Sequence, residues 1–181
     1  MNEKVYPWYA AIEGESLEQG DIIDACPVYS PPRDLRSDYT GEVVFDSRSY
    51  DLIVASQSCD LAHKKLEQVL LCKVWLCSEL SRDFPLEDAR RGNLPAYHLL
   101  NECRLDSLDR EFRIVDFREM CALPLLFLKE FVRQSGKRLR LLPPYREHFA
   151  QAFARFFMRV GLPQDIPPFK KSKGKRSDQV H

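Results

Sequence analysis

The chain has 181 residues, of which 44% are hydrophobic and 30% charged. That composition suits a single soluble domain with its own core and excludes a fibrous or low-complexity protein. Lysine plus arginine totals 27 against 27 for aspartate plus glutamate, so a generally basic, nucleic-acid-coating protein is excluded while a local basic surface is not.

No apolar run approaches the ~20 residues that cross a bilayer, so no membrane association is expected. The N-terminus lacks the basic-then-apolar pattern of an export signal, which makes a cytoplasmic protein the expectation. Six cysteines (26, 59, 72, 77, 103 and 121) then read as reduced thiols, mostly small apolar core groups. Charge is unevenly spread. Glu3, Glu13, Glu15, Glu18, Asp21 and Asp24 give an acidic head, and Lys170, Lys171, Lys173, Lys175 and Arg176 a basic tail.

In chain order, residues 1–18 read as a lead-in with Trp8 and Ile12 as anchors. Gly20-Asp21-Ile22-Ile23 begins a strand that Cys26-Pro27-Val28-Tyr29 continues and Ser30-Pro31-Pro32 breaks. The polar stretch 30–41 is a long loop. Strands are expected at 42–45 and 50–56, joined by a turn around Asp46-Ser47-Arg48. The run Gln68 to Cys77 is β-favouring and apolar enough to be central. A short helix is expected over Leu86–Arg91 and a strand over Ala96–Leu100. In Phe112–Arg118, Phe112, Ile114 and Phe117 point inward, with Asp116, Arg118 and Glu119 free to pair across the sheet.

Pro124 opens a short helix running to Arg133. After Pro143-Pro144, Phe149, Phe153, Phe156, Phe157 and Val160 recur at helical spacing, and Gly161-Leu162-Pro163 ends the helix. From 165 the chain is proline- and lysine-rich and reads as a disordered tail. The expected organisation is a lead-in (1–18), one domain (19–164) and that tail. The fold class is α+β, mainly β: a small curled β-barrel with a C-terminal amphipathic helix packed on it.

Two groups of residues carry candidate chemistry. Residues Ser56-Gln57-Ser58-Cys59-Asp60-Leu61-Ala62-His63 follow a hydrophobic strand, and a loop held by a strand can present side chains accurately. Cys59 with His63 suits a thiol nucleophile, since a cation beside sulfur favours the thiolate. Cys59, Asp60 and His63, joined by His98, suit a metal. Alternatively, Asp60 caps a helical turn and Cys59 packs inside. The second group is cationic: His148, Arg155 and Arg159 on the polar side of the last helix, and Lys170, Lys171 and Lys173 in the tail, all suited to a phosphate backbone. No glycine-rich phosphate loop, His-Glu-x-x-His or nucleophile elbow is present.

The Gly20-Asp21-Ile22 start, the serine-bearing loop after Leu52-Ile-Val-Ala-Ser56 and the apolar strand Val69–Cys77 resemble the MazF/PemK-like toxins over roughly residues 19–160. That resemblance implies a Src-homology-3-like barrel and a metal-independent endoribonuclease from a toxin–antitoxin or defence locus, or a catalytically silent interaction module. Arg33 or Arg36 would stabilise the phosphorane, and a hydroxyl or carboxylate between Ser56 and Asp60 would assist proton transfer. Where such ribonucleases carry a threonine at the end of the third strand, this chain offers only Ser78. No cofactor is called for. The implied partners are RNA or DNA and a protein of the same locus, and a homodimer fits. The readings from another class are a cysteine-dependent enzyme or metal-binding protein and a purely structural partner.

Overall fold

A computed structural model describes residues 6–63 and 65–158. Seven strands form one antiparallel sheet: β1 (Tyr9–Ile12), β2 (Asp21–Ser30), β3 (Asp46–Val54), β4 (Gln68–Leu76), β5 (Tyr97–Leu100), β6 (Arg113–Pro124) and β7 (Arg138–Leu141), in the spatial order β1-β7-β2-β3-β4-β6-β5. Among the described residues four helices accompany them: α1 (Ser58–Ala62), α2 (Leu86–Arg90), α3 (Leu125–Ser135) and α4 (Tyr145–Phe157). The protein is thus α+β and mainly β. No described helix is long and apolar enough to cross a membrane.

β4 is an interior strand, as its apolar run predicts, and pairs with β3 on one side and β6 on the other. Several expectations change. Residues 42–45 form no strand, and Asp46–Arg48, expected as a turn, is the start of β3, in register with Val28–Ser30 of β2. Pro27 is tolerated inside β2 because β7 pairs only with Asp21 and Ile22, leaving the rest of that side of β2 without a ladder partner. Phe112, expected inward, precedes β6 and is exposed. β1 and β7 pair with each other across almost the whole chain. The two outermost strands also approach, since the Tyr9 hydroxyl donates to the carbonyl of Asn101, just after β5, at 2.7 Å.

Strand alternation gives the sheet two buried faces. Ile22, Ile53, Cys72, Val115, Phe117 and Leu139 point to one side, where α4 inserts Phe149 and packs Phe153 and Phe156. Ile23, Leu52, Val54, Leu71 and Val69 point to the other, covered by Leu125, Leu128 and Val132 of α3 and by Leu61 of α1. Each fully buried Leu, Ile or Phe contributes roughly 1.5–3 kcal/mol of transfer free energy, so both helices are held by burial more than by helix propensity. Phe149, Phe153 and Phe156 face the core as their spacing predicts, Phe157 is exposed, and Val160 with the expected stop at 161–163 lies outside the described residues.

Charges are buried too. Asp21 is fully buried and accepts from Arg138 Nε at 3.0 Å and Arg140 Nη2 at 2.9 Å. Arg138 also donates to the Gly14 carbonyl at 2.8 Å, Arg140 pairs with Glu18, and Glu18 accepts from Arg146 at 3.2 Å. The acidic head is therefore stitched to β7 and α4. Gly20 is required at the strand start: its φ is +86°, and a Cβ there would lie 3.0 Å from Leu141 Cβ. A second buried cluster sits where a bulge between Ile23 and Cys26 interrupts the β2–β3 ladder. Arg113, 1% exposed, faces Asp24 at 3.1 Å and Asp51 at 3.9 Å, and Arg110 also reaches Asp24 at 2.7 Å. Ala25, at φ 51°, donates its N–H to Asp51 Oδ1 at 2.9 Å. Burial raises the Asp51 carboxyl above its usual range, and the Ala25 N–H partly offsets it.

Candidate functional site

Within Gln57–His63, Ser58–Ala62 form the five-residue helix α1 between the caps Gln57 and His63, nailed to the α3 side of the sheet by buried Leu61. Cys59 and His63 are exposed, so this corner stands on the surface. The Cys59 thiol donates to Gln57 Oε1 at 3.7 Å and to Asp60 Oδ1 at 3.8 Å. Both are acceptor oxygens, and neither is a basic partner for the thiol. Lys65 spends its ammonium on Asp60, at 3.9 Å. The serines of the corner are structural. Ser56 Oγ accepts the Leu70 N–H at 2.9 Å, and Ser58 Oγ accepts that of Gln19 at 3.1 Å. No side-chain cap closes α1, so Asp60 is not the helix cap that one reading assigned it. Among the described residues no three His, Cys, Asp or Glu side chains are grouped as metal ligands.

Arg33 and Arg36 lie in the exposed loop between β2 and β3, and Arg36 is engaged by Asp38 through two bonds of 3.1 and 3.0 Å. That loop leaves the sheet at Ser30 and Asp46, whereas Ser56–His63 follows Val54. The two groups depart from opposite ends of β3, roughly 26 Å apart at the strand rise of about 3.3 Å per residue. Ser78 sits in a 3₁₀ turn (Cys77–Glu79) and donates to Glu111.

Elsewhere the fold does assemble a site. A cleft of ≈ 350 Å³ opens between α4, α2 and β5, within the size range of small-ligand pockets. On the α4 wall are His148, Gln151 and Arg155, one face of the helix at successive turns. The facing wall carries Arg90 and Arg91, and Trp8, just before β1, completes the rim. None of the lining side chains is a carboxylate. Behind the wall Glu87 accepts from Arg90 at 2.7 and 2.6 Å and from Arg91 at 2.9 Å. One carboxylate thus serves two guanidiniums, and Arg155 adds a third, so the cleft is net positive.

His98 of β5 lines the cleft, with its ring 5.8 Å from Phe149 and 6.5 Å from Phe117. Its Nε2 is buried and has no hydrogen-bond partner among the described residues. Burial, reinforced by His148 across the cleft, pushes this imidazole down to about 4, so it is neutral at physiological pH. Trp8 stacks on Tyr145 with ring centroids 3.7 Å apart and planes within 10°. His148 meets Tyr145 edge-on at 6.1 Å.

Of the cationic residues singled out in the sequence, the structure brings His148 and Arg155 together. Arg159, Lys170, Lys171 and Lys173 lie outside the described residues. Sequence reading missed Arg90, Arg91 and Trp8 as site residues, because arginines in a short charged helix and a tryptophan in a lead-in carry no spacing signal. Phe117 and Phe149 are on the α4 side of the sheet and Leu61 is on the other, so the cleft and the Cys59 corner occupy opposite faces. Compared with known protein families, the sequence matches no family model, and it is similar to none of the curated proteins it was compared with.

Proposed function

We propose that this chain is a nucleic-acid-binding protein of MazF/PemK-like, Src-homology-3-like architecture, acting as a catalytically silent interaction module of a toxin–antitoxin or defence locus. The observation that carries the binding reading is the carboxylate-free cleft in which Arg90, Arg91, Arg155 and His148 converge. Planar guanidiniums grip phosphate in two places at once, and three of them against the single carboxylate of Glu87 leave positive charge for a polyanion. The barrel reading draws on the Tyr9–Asn101 bond between the outermost strands.

The silent rather than cleaving form is supported by the departure of Arg33 and Arg36 from the opposite end of β3 to Ser56–Asp60. In-line cleavage needs its arginine and its proton-transfer group on one phosphate, within hydrogen-bond reach. The thiol-enzyme reading has less support, because the partners of the Cys59 thiol are the oxygens of Gln57 and Asp60 and not an imidazole.

The test is titration of the purified chain with fluorescently labelled RNA at several salt concentrations. Arg155→Ala should weaken binding and reduce the slope of log affinity against log salt by about one phosphate's share, ~0.7 for a single strand. Unchanged affinity and slope would remove the cleft from the interface. Growth arrest on expression, abolished by Arg33→Ala or Arg36→Ala, would restore the ribonuclease.

A further inference from the structure

The cleft joins two kinds of surface that phosphate binding alone does not need. Its rim holds Trp8, already stacked on Tyr145, with His148 edge-on to the same ring. The tryptophan is thereby fixed before any ligand arrives, which lowers the ordering cost of stacking a further planar group on the assembly. Across the cleft stand Arg90 and Arg91, and Arg155 lies two turns along α4 from His148. Between them is a space of ≈ 350 Å³, enough for one planar base with its sugar and phosphate and far too narrow for a duplex. Beneath lies His98, a neutral imidazole with an unpartnered Nε2.

Deepening the nucleic-acid reading, on which it rests, we infer that the cleft takes a single unpaired nucleotide of a single-stranded nucleic acid, its base against Trp8 and its phosphate on Arg155 and the Arg90–Arg91 pair. Aromatic platforms beside arginines are sequence-tolerant, because every base has a π-face. A stacked base must also be unpaired, so the site should discriminate strandedness more than sequence. An acidic peptide would satisfy the arginines but would leave the aromatic rim unused.

The chain has two tryptophans, and Trp75→Phe leaves Trp8 as the reporter. In that background the full chain is titrated with a short oligouridylate, with a blunt RNA duplex of equal length and with poly-glutamate, while indole emission and labelled-probe anisotropy are read together. The expected result is saturable quenching by oligouridylate, with the duplex and poly-glutamate binding at least about fivefold more weakly. Trp8→Leu keeps an apolar contact for Tyr145 but offers no π-face. It should cost about tenfold in single-strand affinity, within the range of roughly five- to a hundredfold expected for one base stack. Trp8→Phe should recover most of it, with both variants unfolding in urea at midpoints near the parent's.

Equal affinity of Trp8→Leu and parent for oligouridylate would overturn the inference. If Arg155→Ala still weakened binding in that case, the backbone reading would survive alone. Equal quenching by the duplex or by poly-glutamate would also overturn it. No effect from either Trp8→Leu or Arg155→Ala would remove the nucleic-acid reading as well.

Discussion

The two faces of the sheet treat their chemistry-bearing side chains differently. On the α3 side, exposed Cys59 rides on a five-residue helix anchored by Leu61 and closed by exposed His63, with the Cys59 thiol bonded to oxygens of Gln57 and Asp60. On the α4 side, His148 and Arg155 belong to a thirteen-residue helix whose Phe149 is fully buried, and they look across a cleft at side chains from α2, β5 and the segment before β1. A residue type becomes a site when other elements converge on it. The corner has a rigid support without convergence, whereas the cleft has both.

Breaking the supports should separate the faces most sharply. Phe149→Ala removes a buried ring that meets His98, Phe117 and Phe153, and should cost about 3–5 kcal/mol in urea unfolding. It should also abolish cleft binding. Leu128→Ala on the opposite face should cost about 2–5 kcal/mol, yet leave the cleft's affinity for RNA intact in the fraction that remains folded. If Leu128→Ala abolished binding as well, the faces would not be independent.

Acid gives the next largest effect. The His98 imidazole is held at about 4 by burial and by His148, below its unfolded value near 6.5, so the unfolded chain binds more protons between those values. Stability from this group is complete above about pH 6.5 and is lost as pH falls toward 4, by an amount on the order of 3 kcal/mol. Asp51 runs the opposite way: its raised carboxyl favours the native state in acid, and that contribution fades as pH rises past its unfolded value. Urea titrations of parent and His98→Leu across pH 4–7 isolate the histidine, and the variant should show the flatter profile. Identical profiles would mean that His98 is solvated and that its Nε2 does have a partner.

Smaller effects sharpen the contrast at the surface. Gln151→Ala, on the cleft wall between His148 and Arg155, should change stability by less than about 0.5 kcal/mol while weakening single-strand binding a few-fold. Cys59→Ser should change neither stability nor binding measurably. Rapid, selective alkylation of Cys59 at pH 6, well ahead of the other thiols, would reverse the ranking of the two regions. Burial, with a smaller contribution from the neighbouring Cys121, pushes Cys26 and Cys72 up to about 12, so those two should stay unreactive.

Several features were legible in the residues because they are periodic or stereochemically forced. The phenylalanine stripe of α4 follows helical spacing, the run Gln68–Leu76 became an interior strand, and Pro124 preceded α3. Gly20 stands where a positive φ and a close approach to Leu141 exclude a Cβ. Other features were hidden. β7 reads Arg-Leu-Arg-Leu, and its arginines look like solvent-facing groups until Asp21, more than a hundred residues earlier, is brought against them. β1 is four residues long, and its partner lies at the far end of the domain. The pairing that makes each a strand is non-local, so neither window carries it.

The same division holds for function. Local sequence determined a β-rich body, an amphipathic last helix, and the presence of His148 and Arg155 on its polar side, because side-chain periodicity and backbone stereochemistry act over a few residues. Only the tertiary structure decided that Arg90, Arg91, His98 and Trp8 join them, and that Cys59 is left among oxygens on the other face. Those outcomes depend on which strands pair and which face each helix covers. They are set by burying apolar surface across the whole chain, not by any short stretch of it.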